Sequence, residues 1–283
     1  MFKRGQKLKD TYRIESQLPG SKLAYKVTHM SLKTHLVAEI VADLSNIEEL
    51  DYDDRQQATK DFAATRERLE AFAKLDHPVL ARIVDSFEVD KVHLLIRPWV
   101  EGLTLRELVE TSLKPLDQKT AMGFCEQILV LLEEMERAEP SLVLGSLCPD
   151  YLVVSPQGDL EVTDYGLAVH KKGKTDFERF GCPELLGGTE LDQRADLYSL
   201  GATLFFGVTG QELPPIWDRI THQDSIPSPL ELSIKVDGSF WSTLEQMLNL
   251  NVNQRPQSTA EVRALFQSQS FEDTAETLSL IHI

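Results

Sequence analysis

The spacing of apolar residues changes once along this chain, near Arg97, and that change limits the folds open to it. Before it, Leu36 to Val41 and Val92 to Ile96 are β-branched and apolar runs that predict strands. Between them, Phe62, Leu69 and Phe72 fall at helical spacing within Arg55 to Lys74. After it, helices dominate, with patterns over Leu105–Thr111, Asp117–Ala138, Ala195–Val208, Phe240–Leu248 and Thr259–Gln269. One strand pair interrupts them, Tyr151–Val154 and Leu160–Thr163, joined by the turn Ser155-Pro156-Gln157-Gly158-Asp159. Strands followed by helices predict an α+β architecture with a small β-rich lobe over 1–97 and a large helical lobe over 98–267. With 42% hydrophobic residues in 283, the chain can bury a substantial core.

The formal net charge of −16 argues against nucleic acid and anionic membrane surfaces as partners, because both are bound by neutralising phosphates with Lys and Arg. Cys125, Cys148 and Cys182 are odd in number and lack CxxC spacing, which argues against a zinc site or a disulfide framework and fits a reducing cytoplasm. The start MFKRGQKLKDTYRI has no apolar core of a signal peptide, and no stretch reaches the roughly 18 apolar residues of a membrane span, so this segment is not expected to insert into a membrane. Residues 268–277 read as a polar, acidic linker. Leu278-Ser279-Leu280-Ile281-His282-Ile283 matches the translation of a transposase-end sequencing adapter, and is read as a scar that carries no fold information.

Five short motifs, each present once, follow one another along the chain: Leu75-Asp76-His77-Pro78, Trp99-Val100-Glu101-Gly102-Leu103-Thr104-Leu105, Cys182-Pro183-Glu184, Asp196-Leu197-Tyr198-Ser199-Leu200-Gly201 and Asn253-Gln254-Arg255-Pro256. Together with the layout of Leu142 to Gly166, they make the chain resemble a bacterial eukaryotic-like Ser/Thr protein kinase domain from about Gly5 to Gln267. The resemblance implies a protein-kinase-like bilobal fold. It also implies architectural roles for Asp196 as anchor of the catalytic-loop backbone, for a Glu184–Arg255 pair, and for Phe72, Ile83, Leu144 and Tyr165 as a hydrophobic spine.

The chemical positions of that family are replaced. Leu144, Gly145 and Ser146 stand at H-R-D, Cys148 at the Lys, and Tyr151 at the metal-binding Asn, while Asp164-Tyr165-Gly166 retains the Asp of D-F-G. Ser146 cannot serve as a carboxylate base, and Tyr151 offers no carbonyl oxygen to Mg²⁺. The phosphate-binding loop keeps one glycine, out of register, with Pro19, Ser21 and Ala24 among its replacements. Reading Val37-Ala38-Glu39-Ile40 as V-A-x-K puts Ile40 at the phosphate-gripping Lys. Counting back from His77 puts Arg68 at its Glu partner, with Glu67 or Glu70 as the alternatives should that register slip, and Arg97 falls at the gatekeeper, where it either pairs with Asp164 or reaches solvent. Phe177 replaces the bridging Thr, Thr175 reads as a solvated residue rather than a phosphorylation switch, and Lys171, Lys172 and Lys174 read as a solvated face.

These substitutions predict a pseudokinase: a non-catalytic protein-binding or regulatory module forming the N-terminal part of a longer signalling protein, with its protein partner unspecified and ATP and Mg²⁺ binding not expected. The alternative is a weak or unconventional ATP-dependent Ser/Thr protein kinase working through Asp164. A third reading, a decaying gene product, is opposed by the intact spine.

Overall fold

The computed structural model describes residues 2–18, 21, 23–112, 114–145, 147–167, 175–187, 190–222 and 226–267. The expectations placed on Pro19, Ser146, Lys171, Lys172, Lys174, the side chains of Thr175 and Phe177, the linker 268–277 and the adapter segment 278–283 lie outside the described residues.

The N-terminal part is a six-stranded antiparallel sheet built from β1 (Lys7–Leu8), β2 (Tyr12–Gln17), β3 (Ala24–His29), β4 (His35–Asp43), β5 (Asp85–Val89) and β6 (Val92–Pro98), in the order β1-β2-β3-β4-β6-β5. Alternation along β4 and β6 sends side chains to opposite faces. Leu36, Ala38 and Ile40 join Leu94 and Ile96 in one apolar cluster, while Val41 and Leu95 join a second, larger cluster on the face that meets helix α1 (Tyr52–Phe72). Asp51 caps that helix, its carboxylate accepting the N–H of Asp54 at 2.9 Å. Thr65, Leu69 and Phe72, spaced by four and three, form its buried stripe. Burying Leu69 and Phe72 contributes about 1.5–3 kcal/mol each, which fixes the rotation of α1 against the sheet.

Below the sheet, β7 (Leu103–Thr104), β8 (Leu152–Val154) and β9 (Leu160–Val162) form a small second sheet among helices. The helices are α2 (Leu105–Ser112), α3 (Gln118–Arg137), α4 (Thr175–Phe180), α5 (Pro183–Leu186), α6 (Gln193–Thr209), α7 (Ile216–His222), α8 (Gly238–Met247) and a last one, α9, over 259–267. Every residue of α6 from Ala195 to Thr209 is buried, so it runs through the centre of this lobe. The close approach of α8 depends on Gly201, where an added Cβ would sit 3.0 Å from that of Met247. The α+β class and the bilobal arrangement expected from the sequence are thereby borne out. No helix among the described residues is long and apolar enough to cross a membrane.

Candidate nucleotide cleft

The two lobes meet where α1 reaches the segment Asp164-Tyr165-Gly166. Tyr165 is 1% exposed, its ring lies edge-on to Phe72 at 6.1 Å, and its hydroxyl donates to the carbonyl of Ala81 at 2.7 Å. That hydrogen bond lets a phenol occupy an apolar site that a phenyl ring would fill without help. Leu144 is fully buried in the same cluster, and Ile83 packs against it, so the four residues that the resemblance assigns to a spine share one core.

Asp196, at the start of α6, is 1% exposed and accepts the backbone N–H groups of Leu144 at 3.0 Å and Gly145 at 2.6 Å. Burial pushes its carboxyl up to about 7, against the pull of those two donors. Glu184 and Arg255 form an ion pair at 2.9 Å, with the Arg255 side chain wholly enclosed. The same guanidinium donates to the carbonyls of Asn249, Arg194 and Leu250, and lies 4.9 Å from the centre of the Tyr198 ring.

The chemical positions are arranged differently from the sequence-based alignment. In the β4–β6 ladder Val37 lies opposite Arg97 and Glu39 opposite Leu95, so Glu39 and Arg97 share the face that carries Leu95 and Val41 toward α1. Ile40 belongs to the apolar cluster on the other face. The V-A-x-K register is therefore one residue off: Glu39, not Ile40, stands at the cleft-facing strand position, because a shift of one residue exchanges the faces of a strand. Either register leaves that position without a lysine. Arg97 forms its ion pair with Glu39 at 3.9 Å, with both side chains less than one-fifth exposed, rather than reaching solvent.

Arg68 projects from the turn of α1 that carries Leu69, and its Nε donates to the Tyr165 carbonyl at 3.0 Å. Its guanidinium packs against Gly166, whose φ of +66° and lack of a side chain make room for it. Burial draws the Arg68 guanidinium below its ordinary range, while Asp164 and Asp196 oppose that effect. Asp164 is 4% exposed, and one of its oxygens accepts the Gly166 N–H at 3.0 Å.

Tyr151 is half-buried, and its carbonyl accepts from the N–H and the hydroxyl of Thr163, at 2.8 and 3.1 Å, which seats it beside Asp164. Burial first, and then the charges of Asp164 and Glu39, push its phenol above the usual range, so it stays protonated. Cys148 is 2% exposed within the large core cluster, with its sulfur 3.8 Å from Asp150. In the loop between β2 and β3, the Ser21 hydroxyl accepts the N–H groups of Leu23 and Ala24 at 3.2 and 3.1 Å, so a side chain occupies donors that a glycine loop would present to phosphate.

A second charged group was not anticipated from the sequence. Arg106 of α2 donates to both oxygens of Asp150 at 2.9 Å and to Glu212 at 2.7 Å, and Glu212 also pairs with Arg179 of α4 at 3.1 Å. The group ties the turn that carries Asp150 to α2 and α4. Asp150 and Glu212 lie 44 and 106 residues from Arg106, so no local spacing signals them.

For a divalent cation, Asp164 supplies the hard oxygen that the chemistry requires. Mg²⁺ is commonly held by one or two carboxylates together with nucleotide phosphates and waters, so the donor set fits an ion carried in by a nucleotide, with Tyr151 adding no carbonyl ligand. Among the described residues no group of three His, Cys, Asp or Glu forms a standing metal site.

A profile of the protein kinase domain matches residues 46–268. The serine/threonine-protein kinase PrkC of Bacillus subtilis is 25% identical over 218 residues, covering 73% of this chain and 32% of its own length. The serine/threonine-protein kinase PknB of Mycobacterium tuberculosis is 24% identical over 213 residues, covering 68% and 33%. The chain thus spans about a third of these relatives. The crystal structure of the M. tuberculosis PknI kinase domain superimposes with a TM-score of 0.75 at 17% identity, covering 95% of this chain and 99% of that one, which bears on the fold alone. These matches overturn the expectation that ATP and Mg²⁺ are not bound, because the relatives are Ser/Thr protein kinases, which bind both.

Proposed function

Since the chain belongs to the protein kinase domain family, with matched relatives among bacterial Ser/Thr protein kinases, we propose that it is an ATP-binding kinase domain whose phosphoryl transfer is weak and unconventional. The observation that carries this reading is Asp164, which is buried, oriented by the Gly166 N–H and seated on an intact spine. When bound, Mg²⁺ would neutralise the phosphates at that carboxylate. The rest falls to the chain itself: the lobes position the nucleotide, and the Arg106 group holds the catalytic-loop segment and α4 in place.

The test is a thermal-shift titration with Mg-ATP and Mn-ATP, alongside label transfer to a generic protein substrate, for the unaltered chain and Asp164→Asn. We expect a higher melting temperature with nucleotide, and slow transfer that disappears in Asp164→Asn. No shift and no transfer would refute the proposal.

A second reading, a non-catalytic regulatory module that acts by binding a protein partner, is favoured by one specific observation. The cleft-facing strand position carries the acid Glu39, paired with Arg97, where phosphates call for a cation. Ser146 at the base position supports it from the sequence. Nucleotide binding without label transfer would select this reading.

A further inference from the structure

Two carboxylates, Asp164 and Asp196, are buried within range of each other's charge, and the charge of Asp164 contributes to raising the Asp196 carboxyl. Buried like charges need a cation close by, or one of them must take up a proton. Arg68 is placed to answer that need. The buried stripe Thr65, Leu69 and Phe72 sets the rotation of α1, the Nε bond to the Tyr165 carbonyl sets the reach of the side chain, and Gly166 leaves the space for the guanidinium. The plane lies over the Phe72 ring, 5.5 Å from its centre, which further immobilises the charge. One of its terminal nitrogens, Nη2, is buried and makes no hydrogen bond among the described residues, so the group is held there by charge and packing more than by saturated bonding.

We propose that Arg68 is a built-in counter-cation of the cleft, which balances Asp164 while the nucleotide site is empty and competes with the divalent ion that the nucleotide brings. The proposal rests on the reading that a metal-nucleotide complex binds at Asp164. A positive charge fixed beside the Asp164–Gly166 turn repels an incoming dication and satisfies part of the field that would attract it. Metal loading then requires Arg68 to withdraw from the Tyr165 carbonyl. Because Arg68 is part of α1, that withdrawal would also loosen the last turns of the helix, so metal occupancy and helix position become linked.

The experiment measures Mn²⁺ binding by electron paramagnetic resonance, in the presence of ADP, for the whole chain and for Arg68→Gln, with Asp164→Asn as the control that removes the site. Arg68→Gln is expected to bind Mn²⁺ about tenfold more tightly, the order of effect of removing one fixed charge from a partly buried site. Equal or weaker binding in a folded Arg68→Gln protein overturns the proposal and leaves the nucleotide-binding reading standing. Absence of Mn²⁺ binding to either protein overturns both. Should Arg68→Gln fail to fold, hydrogen exchange on the unaltered chain decides. Mn²⁺ with ADP should speed amide exchange over residues 65–72, and unchanged or slower exchange refutes the competition.

Discussion

Replacing Arg255 with Ala probes the large lobe where its charges are most enclosed. The mutation removes the partner of Glu184 from an ion pair at 2.9 Å and withdraws donors from three backbone carbonyls. Stranding one member of a buried pair costs about 3–5 kcal/mol. The Glu184 side chain keeps 20% exposure, so water can reach it, which points to the lower end of that range for the pair itself. The carbonyls of Asn249, Arg194 and Leu250 then lose their donors, each worth about 1 kcal/mol net where no water replaces it, which raises the sum from about 3 to about 6 kcal/mol. Against a total of roughly 5–15 kcal/mol, that is a large share of the stability. Urea unfolding followed by tryptophan fluorescence and far-ultraviolet circular dichroism would read it as a lower midpoint at unchanged slope. In a Glu184→Gln background the same replacement should cost at least 1 kcal/mol less, since the stranded charge is gone. A cost under about 1 kcal/mol, or an identical cost in both backgrounds, would refute the argument that the pair is structurally coupled.

Gly166→Ala should destabilise the chain and loosen the contact of α1 with the cleft, because a methyl group there meets the Arg68 guanidinium at a backbone φ of +66°; a melting temperature equal to that of the unaltered chain would count against it. Burial holds the His93 imidazole below its ordinary range, in the company of Ser86, Glu88, Arg66, Glu70 and the Phe62 ring. The unfolded chain therefore takes up a proton near pH 6.5 that the folded chain refuses, and stability from this group is present above that pH and lost as pH falls through it. His93→Gln should show a flatter fall in melting temperature between about pH 7 and 5. Asp196 has the opposite sign: its folded value of about 7 lies above the unfolded one, so its contribution is present at acid pH and lost as pH rises through about 7. Asp196→Asn should remove that slope, and parallel pH profiles would show the carboxylate ionised in the fold.

The division into a strand-rich and a helix-rich lobe was legible because apolar periodicity reports burial locally, as the stripe Thr65, Leu69, Phe72 and the runs in β4 and β6 show. The cleft was less legible. A motif read as V-A-x-K fixes residue order but not which face a strand presents, and only pairing with β6 shows that Glu39 turns toward Arg97 and Ile40 away from it. The Arg106, Asp150, Glu212 and Arg179 group is invisible to spacing rules for the same reason, since tertiary contact alone assembles it. The change of α1 at its start, Tyr52 in place of Arg55, follows from the cap at Asp51, a signal present in the sequence but masked by the polar residues after it.

The hydroxyl of Tyr165 bears on which small molecules could act on this protein. A compound that takes the place of the Tyr165 ring in the core must first swing it out, and that movement breaks the hydrogen bond to Ala81 as well as the ring contact with Phe72. Leaving the Ala81 carbonyl without its donor costs about 1–3 kcal/mol. At 1.4 kcal/mol per tenfold, such compounds would bind roughly 5- to 150-fold more weakly than to an otherwise equal core with phenylalanine at that position. Compounds that leave the tyrosine in place escape this cost, so a screen against the chain should be dominated by that second class of chemistry.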